Sequence, residues 1–165
     1  MGITRVDYDF RLKVEKTIEI GVSGAVDPEA RVETATKAKG YLDTGSSPGA
    51  QKEWVSSRTI TSTSESLNLM SLSYGNLPTV STTGYRVQLY KFVGGANNTT
   101  DILISPSTAN GYSLFGTTAP VALKIGGALM GYGNNKLTAV SSDACMITVT
   151  ATTSGQAYEV QIVAG

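Results

Sequence analysis

The chain predicts an all-β fold, an antiparallel β-sandwich or jelly roll of roughly nine to ten short strands with an N-terminal strand or arm. Three observations carry this. Apolar residues recur at every second position in one stretch after another, as in Val6, Tyr8, Phe10, Leu12 and Val14. Clusters of Gly, Asn, Pro and Ser break those stretches at short intervals. Gly, Ser, Thr and Ala fill the space left by a charged fraction of only 16%, which suits short strands, tight turns and neutral polar surfaces. At 165 residues the chain reads as one domain, 1–165, with 1–20 as an N-terminal arm or edge strand used in oligomer contacts.

The first element is long. Val6, Tyr8, Phe10, Leu12, Val14, Ile18 and Ile20 hold even positions, while Arg5, Asp7, Asp9, Arg11, Lys13, Glu15 and Glu19 hold odd ones. A helix would need spacings of three and four, so this is a strand with one charged face, suited to an exposed edge or to pairing with a neighbouring subunit. Gly21 to Pro28 reads as a loop. Ala30 to Leu42 tolerates helix, yet Val32, Thr34, Thr36 and Ala38 alternate, and strand is preferred. Asp43 to Gly49 is a loop, Trp54 to Ile60 a strand, Ser64 to Leu72 another, and Tyr74 to Gly84 a loop.

Tyr85 to Val93 is rich in aromatic and β-branched residues and is a strand. Asp101 to Ile104 is expected to pair back on it as a hairpin. Leu114-Phe115 reads as a short extended patch, and Val121 to Ile125, Ala128 to Tyr132 and Leu137 to Val140 as strands. Cys145 to Val163 alternates, breaks at Thr153-Ser154-Gly155-Gln156 and alternates again, the pattern of a closing β-hairpin.

Composition removes several functions. The formal net charge is zero, so the basic footprint of a nucleic-acid binder is missing. No window approaches the roughly 20 apolar residues of a membrane-spanning helix, and Met1 to Asp9 lacks a signal-peptide core, which places synthesis and folding in a cytoplasm. Histidine is absent, which removes the commonest general base and metal ligand. The one cysteine, Cys145, reads as a buried inert thiol in a strand and gives no zinc site. Asp7 and Asp9 could begin a calcium site, but no further oxygen ligands follow at regular spacing. Tyr85, Arg86, Tyr90, Lys91 and Phe92 could mimic a base-stacking surface, though core and half-exposed sheet positions account for them better. Asn97 and Asn98 head two formal glycosylation acceptors that read as a polar turn. Trp54 is a core residue first and an interface anchor second.

Charge is concentrated in the first 65 residues. The remaining hundred carry only Arg86, Lys91, Lys124 and Lys136 against Asp101, Asp143 and Glu159. A surface so poor in charge has little electrostatic protection against association. It fits a protein that lives in an assembly, and equally a compact sandwich with Thr- and Ser-rich outer faces.

Two resemblances bear on function. Tyr41-Leu42-Asp43-Thr44-Gly45-Ser46-Ser47 resembles the catalytic loop of aspartic proteases, which would require a symmetric dimer to supply the second carboxylate. The supporting apolar-apolar-Gly segment has only Lys124-Ile125-Gly126 and Val163-Ala164-Gly165 as poor matches, and a turn is the better reading. The second covers about residues 54–165, with Phe10 to Gly45 more loosely similar. Trp54, Arg58-Thr59-Ile60, Glu65-Ser66-Leu67-Asn68-Leu69, Arg86 to Tyr90, Gly126-Gly127-Ala128-Leu129-Met130 and the Tyr158 to Gly165 ending follow in an order similar to that of tailed-bacteriophage virion proteins of the head decoration or cement type. That resemblance implies a structural protein rather than an enzyme. Its partners would be a major capsid protein and itself, as a dimer or trimer, and its place the virion, assembled in the bacterial host cytoplasm. No catalytic, cofactor-binding or metal residues are expected. A carbohydrate- or receptor-binding sandwich of a fibre or tail is the alternative, and the dimeric protease the remote one.

Overall fold

The computed structural model describes the backbone of residues 5–19, 29–43, 51–74, 77–133 and 136–165, and the side chains of residues 51–73, 79–133 and 136–165. All its regular elements are strands: β1 (Arg5–Glu19), β2 (Glu29–Asp43), β3 (Lys52–Ile60), β4 (Ser64–Asn68), β5 (Leu72–Tyr74), β6 (Leu77–Val80), β7 (Val87–Gly94), β8 (Ile102–Pro106), β9 (Val121–Leu123), β10 (Ala128–Tyr132), β11 (Met146–Ala151) and β12 (Gln156–Ala164). The expected loop at Gly21–Pro28 and residues 44–49 of the next one fall outside the described residues.

Contacts divide the chain into two compact units, Val6–Tyr41 and a larger one holding Leu42–Gly165 with Met1–Arg5. The smaller unit is the two-stranded sheet β1–β2. Both strands have the length that period-two alternation predicts, and the ambiguous stretch from Ala30 is strand throughout.

The larger unit is a sandwich of two four-stranded sheets. Their strand orders are β10-β7-β12-β3 and β4-β11-β8-β9, with β5–β6 as a small separate pair. All the strand pairings in this unit are antiparallel, and one isolated bridge, Gly111 with Met146, is parallel. The inward positions of both sheets merge in one core. Trp54, Phe92, Tyr158, Val160 and Ile162 come from the first sheet, and Leu67, Ile102, Ile104, Leu123, Ile147 and Val149 from the second. Burial of this apolar area is the main stabilising term, at about 25 cal/mol per Å² removed from water. Trp54 is only 1% exposed and donates its indole N–H to the Ser73 carbonyl at 3.0 Å, so it is a core residue and no interface anchor. Tyr90 and Phe92 are buried as well, in agreement with their reading as sheet residues.

The strands match the alternation, but two pairings do not. β11 and β12 do not form a hairpin: β11 lies between β4 and β8, and β12 lies between β7 and β3. Likewise β7 and β8 belong to opposite sheets. Each link arches from one layer to the other, so the inward faces of its two strands confront each other across the core.

Smaller corrections have local causes. The expected strand Ser64–Leu72 breaks because the Asn68 side chain accepts from the Met70 N–H at 3.0 Å, an Asx turn that ends β4 before β5 begins. The expected loop from Tyr74 contains β6, which pairs with β5. Leu114-Phe115 lies in a turn closed by Gly116 at φ 69°, and Leu137–Val140 is reduced to an isolated bridge between Ala139 and Arg86. Cys145 precedes β11 rather than lying in it, and it is buried.

Candidate functional site

Charged side chains come together at one inward position of the sandwich. Arg58 on β3 and Tyr158 on β12 are direct register partners in the first sheet. Glu65 on β4 sits opposite Val149 in the second sheet, at an inward position. It reaches across the layers: Arg58 Nε donates to Glu65 Oε1 at 2.8 Å, and the Tyr158 hydroxyl donates to the same oxygen.

The two donors are held to Glu65 as a cross-layer brace. Burial works against the Arg58 charge, but the hydrogen bond and negative charge of Glu65 outweigh it and raise the guanidinium above its ordinary value. Burial first, and the Glu65 hydrogen bond second, push the Tyr158 hydroxyl far above the phenol range. Both groups keep their protons at neutral pH and so remain donors to Glu65. Periodicity placed Arg58, Glu65 and Tyr158 on strands; nothing in their spacing announced that the three converge, because the convergence depends on which sheet each strand joins.

A second polar cluster ties the arches. The Gln156 side chain is buried; its Oε1 accepts from the Thr99 and Thr100 N–H groups, and its Nε2 donates to Thr99 Oγ1, Thr153 Oγ1 and the Ser154 carbonyl. It locks the β7–β8 arch to the β11–β12 arch. The run at Asn97 to Thr100 is thus a structural clamp as well as a polar turn.

A groove of about 510 Å³ lies at the first sheet, lined by Ser57, Thr59, Gly95, Gly126, Glu159 and Arg58 among others. Arg58 is already committed to Glu65, and Glu159 stands in a row of Ser57, Val93 and Ala128 with no second carboxylate. Among the described residues no group of three or more His, Cys, Asp or Glu is placed to hold a metal ion. Asp43 is the last residue of β2, and Thr44 and Gly45 lie outside the described residues.

The outer faces carry what polarity the sandwich shows to solvent. Across the second sheet run Ser66–Thr148–Ser105 and Ser64–Thr150–Leu103–Ala122, with no charge in either row. Leu103 is 41% exposed there. Across the first sheet, Val55–Gln161–Lys91–Met130 form one row, whose apolar ends are both about half exposed. These rows are poor in charge.

No family model, no curated protein and no solved structure matches this chain.

Proposed function

We propose that the chain is a virion structural protein that decorates or cements a bacteriophage capsid, binding a major capsid protein and its own copies in the virion. The single observation that carries this is the charge-free outer face of the second sheet, Ser64, Ser66, Leu103, Ser105, Ala122, Thr148 and Thr150. A face of small hydroxyl and apolar side chains costs less to desolvate than a charged one, provided its hydroxyls find partners, and it lacks the charge repulsion that opposes association. The order of elements from Trp54 to Gly165 that resembles head decoration proteins supports the same reading. The mechanism is mechanical: each copy bridges neighbouring shell subunits, and weak contacts multiply through multivalency.

Four of the large aromatic residues lend the sugar-binding alternative no support. Trp54, Phe92, Tyr112 and Tyr158 are all buried, so none of them offers a stacking platform.

Sedimentation with empty phage heads tests the proposal. The protein is expected to pellet with the heads, and Ser66→Lys with Leu103→Asp, at two exposed positions of that face, to abolish pelleting without changing the unfolding midpoint. A protein that ignores heads and is retained on a glycan array would overturn it.

A further inference from the structure

The charges of β1 are arranged so that the strand complements its own copy. In the β1–β2 sheet, β2 lies on one side of β1, and among the described residues no strand of that sheet lies on the other. If that open edge meets the same edge of a second molecule antiparallel, about a twofold axis at Phe10, residue i faces residue 20 − i. Arg5 then faces Glu15, Asp7 faces Lys13, and Asp9 faces Arg11. Every charged odd position from Arg5 to Glu15 meets its opposite sign. On the other face Val6 meets Val14, Tyr8 meets Leu12, and Phe10 meets Phe10.

The alternatives fail on charge. Moving the axis one residue toward the N-terminus sets Arg5 opposite Lys13 and Asp9 opposite Asp9; moving it the other way sets Asp7 opposite Glu15 and Arg11 opposite Arg11. Parallel in-register pairing sets every charge against itself. A slip by a single residue puts charged positions on the apolar face. β2 has no equivalent property over its length, since pairing about its centre sets Glu29 opposite Asp43. Opposite charges directly across two strands stabilise the pair and like charges destabilise it, so the pattern selects one partner, one direction and one register.

We infer that β1 pairs with β1 of a second copy of this chain, antiparallel with Phe10 on the twofold axis, giving a continuous four-stranded sheet β2-β1-β1-β2. Two strands alone are marginal in water, whereas four with an apolar face are not. The pairing from Arg5 to Glu15 spans about 37 Å of strand. This deepens the self-association half of the proposed function and rests on no property of the shell.

Charge reversal tests it on the whole chain. Asp9→Arg sets positive against positive at both copies of the 9–11 pair, and Arg11→Asp sets negative against negative. By light scattering each variant alone is expected to dimerise about tenfold or more weakly than wild type. An equimolar mixture is expected to recover the dimer, because Asp9→Arg in one chain faces Arg11→Asp in the other. Recovery on mixing excludes misfolding as the cause of the losses. A Phe10→Cys variant should cross-link to itself under mild oxidation. Tyr8→Cys should not, because its two copies stand about 14 Å apart, beyond disulfide reach. A monomeric wild type, single variants that dimerise unchanged, or a mixture that stays monomeric would each overturn the inference. Pelleting with heads, scored separately, reports on shell binding whichever way the dimer result falls.

Discussion

The side chain of Asn98 pairs with the backbone of Ala157 as a neighbouring strand would. Its Nδ2 donates to the Ala157 carbonyl at 2.9 Å, and the Ala157 N–H donates to Asn98 Oδ1 at 2.7 Å. Here β7 turns away toward the second sheet: Gly94, opposite Tyr158, is the last β7 partner of β12, the Gly95 N–H still donates to the Ala157 carbonyl at 2.9 Å, and Asn98 supplies the acceptor for the Ala157 N–H. Only a primary amide offers a donor and an acceptor side by side in that geometry. Asn98→Ala is expected to cost about 2 kcal/mol, because the Ala157 N–H loses its partner at a half-buried site. Asn98→Asp should cost at least as much, because it replaces the donor by a second acceptor aimed at a carbonyl. Urea midpoints at constant slope check both. The same bidentate pairing leaves the Asn98 amide no room for a glycan.

Alkaline pH should unfold the protein by a traceable route. The Tyr158 hydroxyl is raised far above its ordinary value of 10.0 by burial and then by Glu65, and burial raises Tyr112 too. In the unfolded chain these phenols lose their protons near pH 10, while the folded chain keeps them. Their contribution is therefore fully present below about pH 10 and is lost as pH rises above it, because the unfolded state then binds fewer protons. For Tyr158 the fall approaches about 1.4 kcal/mol per pH unit. Tyr158→Phe should flatten the alkaline limb of the stability profile. Tyrosinate absorbance from the buried phenols should appear only with unfolding; its appearance in folded protein near pH 10 would contradict their burial.

The brace itself should be measurable and modest. The Arg58 and Glu65 side chains are 27% and 19% exposed, so water screens part of their attraction. A double-mutant cycle of Arg58→Met and Glu65→Gln is expected to give a coupling of about 1 kcal/mol that shrinks in high salt. Tyr158→Phe should lose the hydroxyl bond but keep the ring's stacked contact with Phe92, whose centroid is 6.4 Å away. Its cost should therefore stay below that of Tyr158→Ala, which also empties core volume.

How far the sequence reads through to this structure depends on what alternation encodes. The periods that located β3, β7, β10, β11 and β12 record which side of each strand is buried, and the core at Trp54, Phe92, Val149 and Val160 follows from them. They are silent about the partner. A hairpin and an arch both show alternation, a glycine-containing break and alternation again, as Cys145 to Val163 does. The difference lies in polar residues at strand ends. Gln156 occupies an inward-facing place where a hairpin would want an apolar one, and it is used to bind two loops. Asn98 supplies an acceptor on the β7 side of the β12 start in the same way. Such residues mark an arch, but only once the layers are known. The Arg58–Glu65–Tyr158 cluster was unreadable for the same reason, since it forms across sheets whose membership alternation leaves open.

Gly131 offers the sharpest test of packing in the first sheet. It lies opposite Tyr90 in the β10–β7 register, and the Tyr90 ring occupies the space that a Cβ at residue 131 would need. The ring cannot swing away freely, because its edge meets Phe115 at a centroid distance of 5.3 Å and an interplanar angle of 88°. Gly131→Ala should therefore force a shift of Tyr90 or of the edge strand β10, at a cost of about 1–3 kcal/mol. If the clash is with the ring, trimming the ring should relieve it: Gly131→Ala with Tyr90→Leu should be less destabilised than the sum of the two single variants. Additive costs, read from urea midpoints, would mean that the glycine is needed for its backbone and not for the space above it.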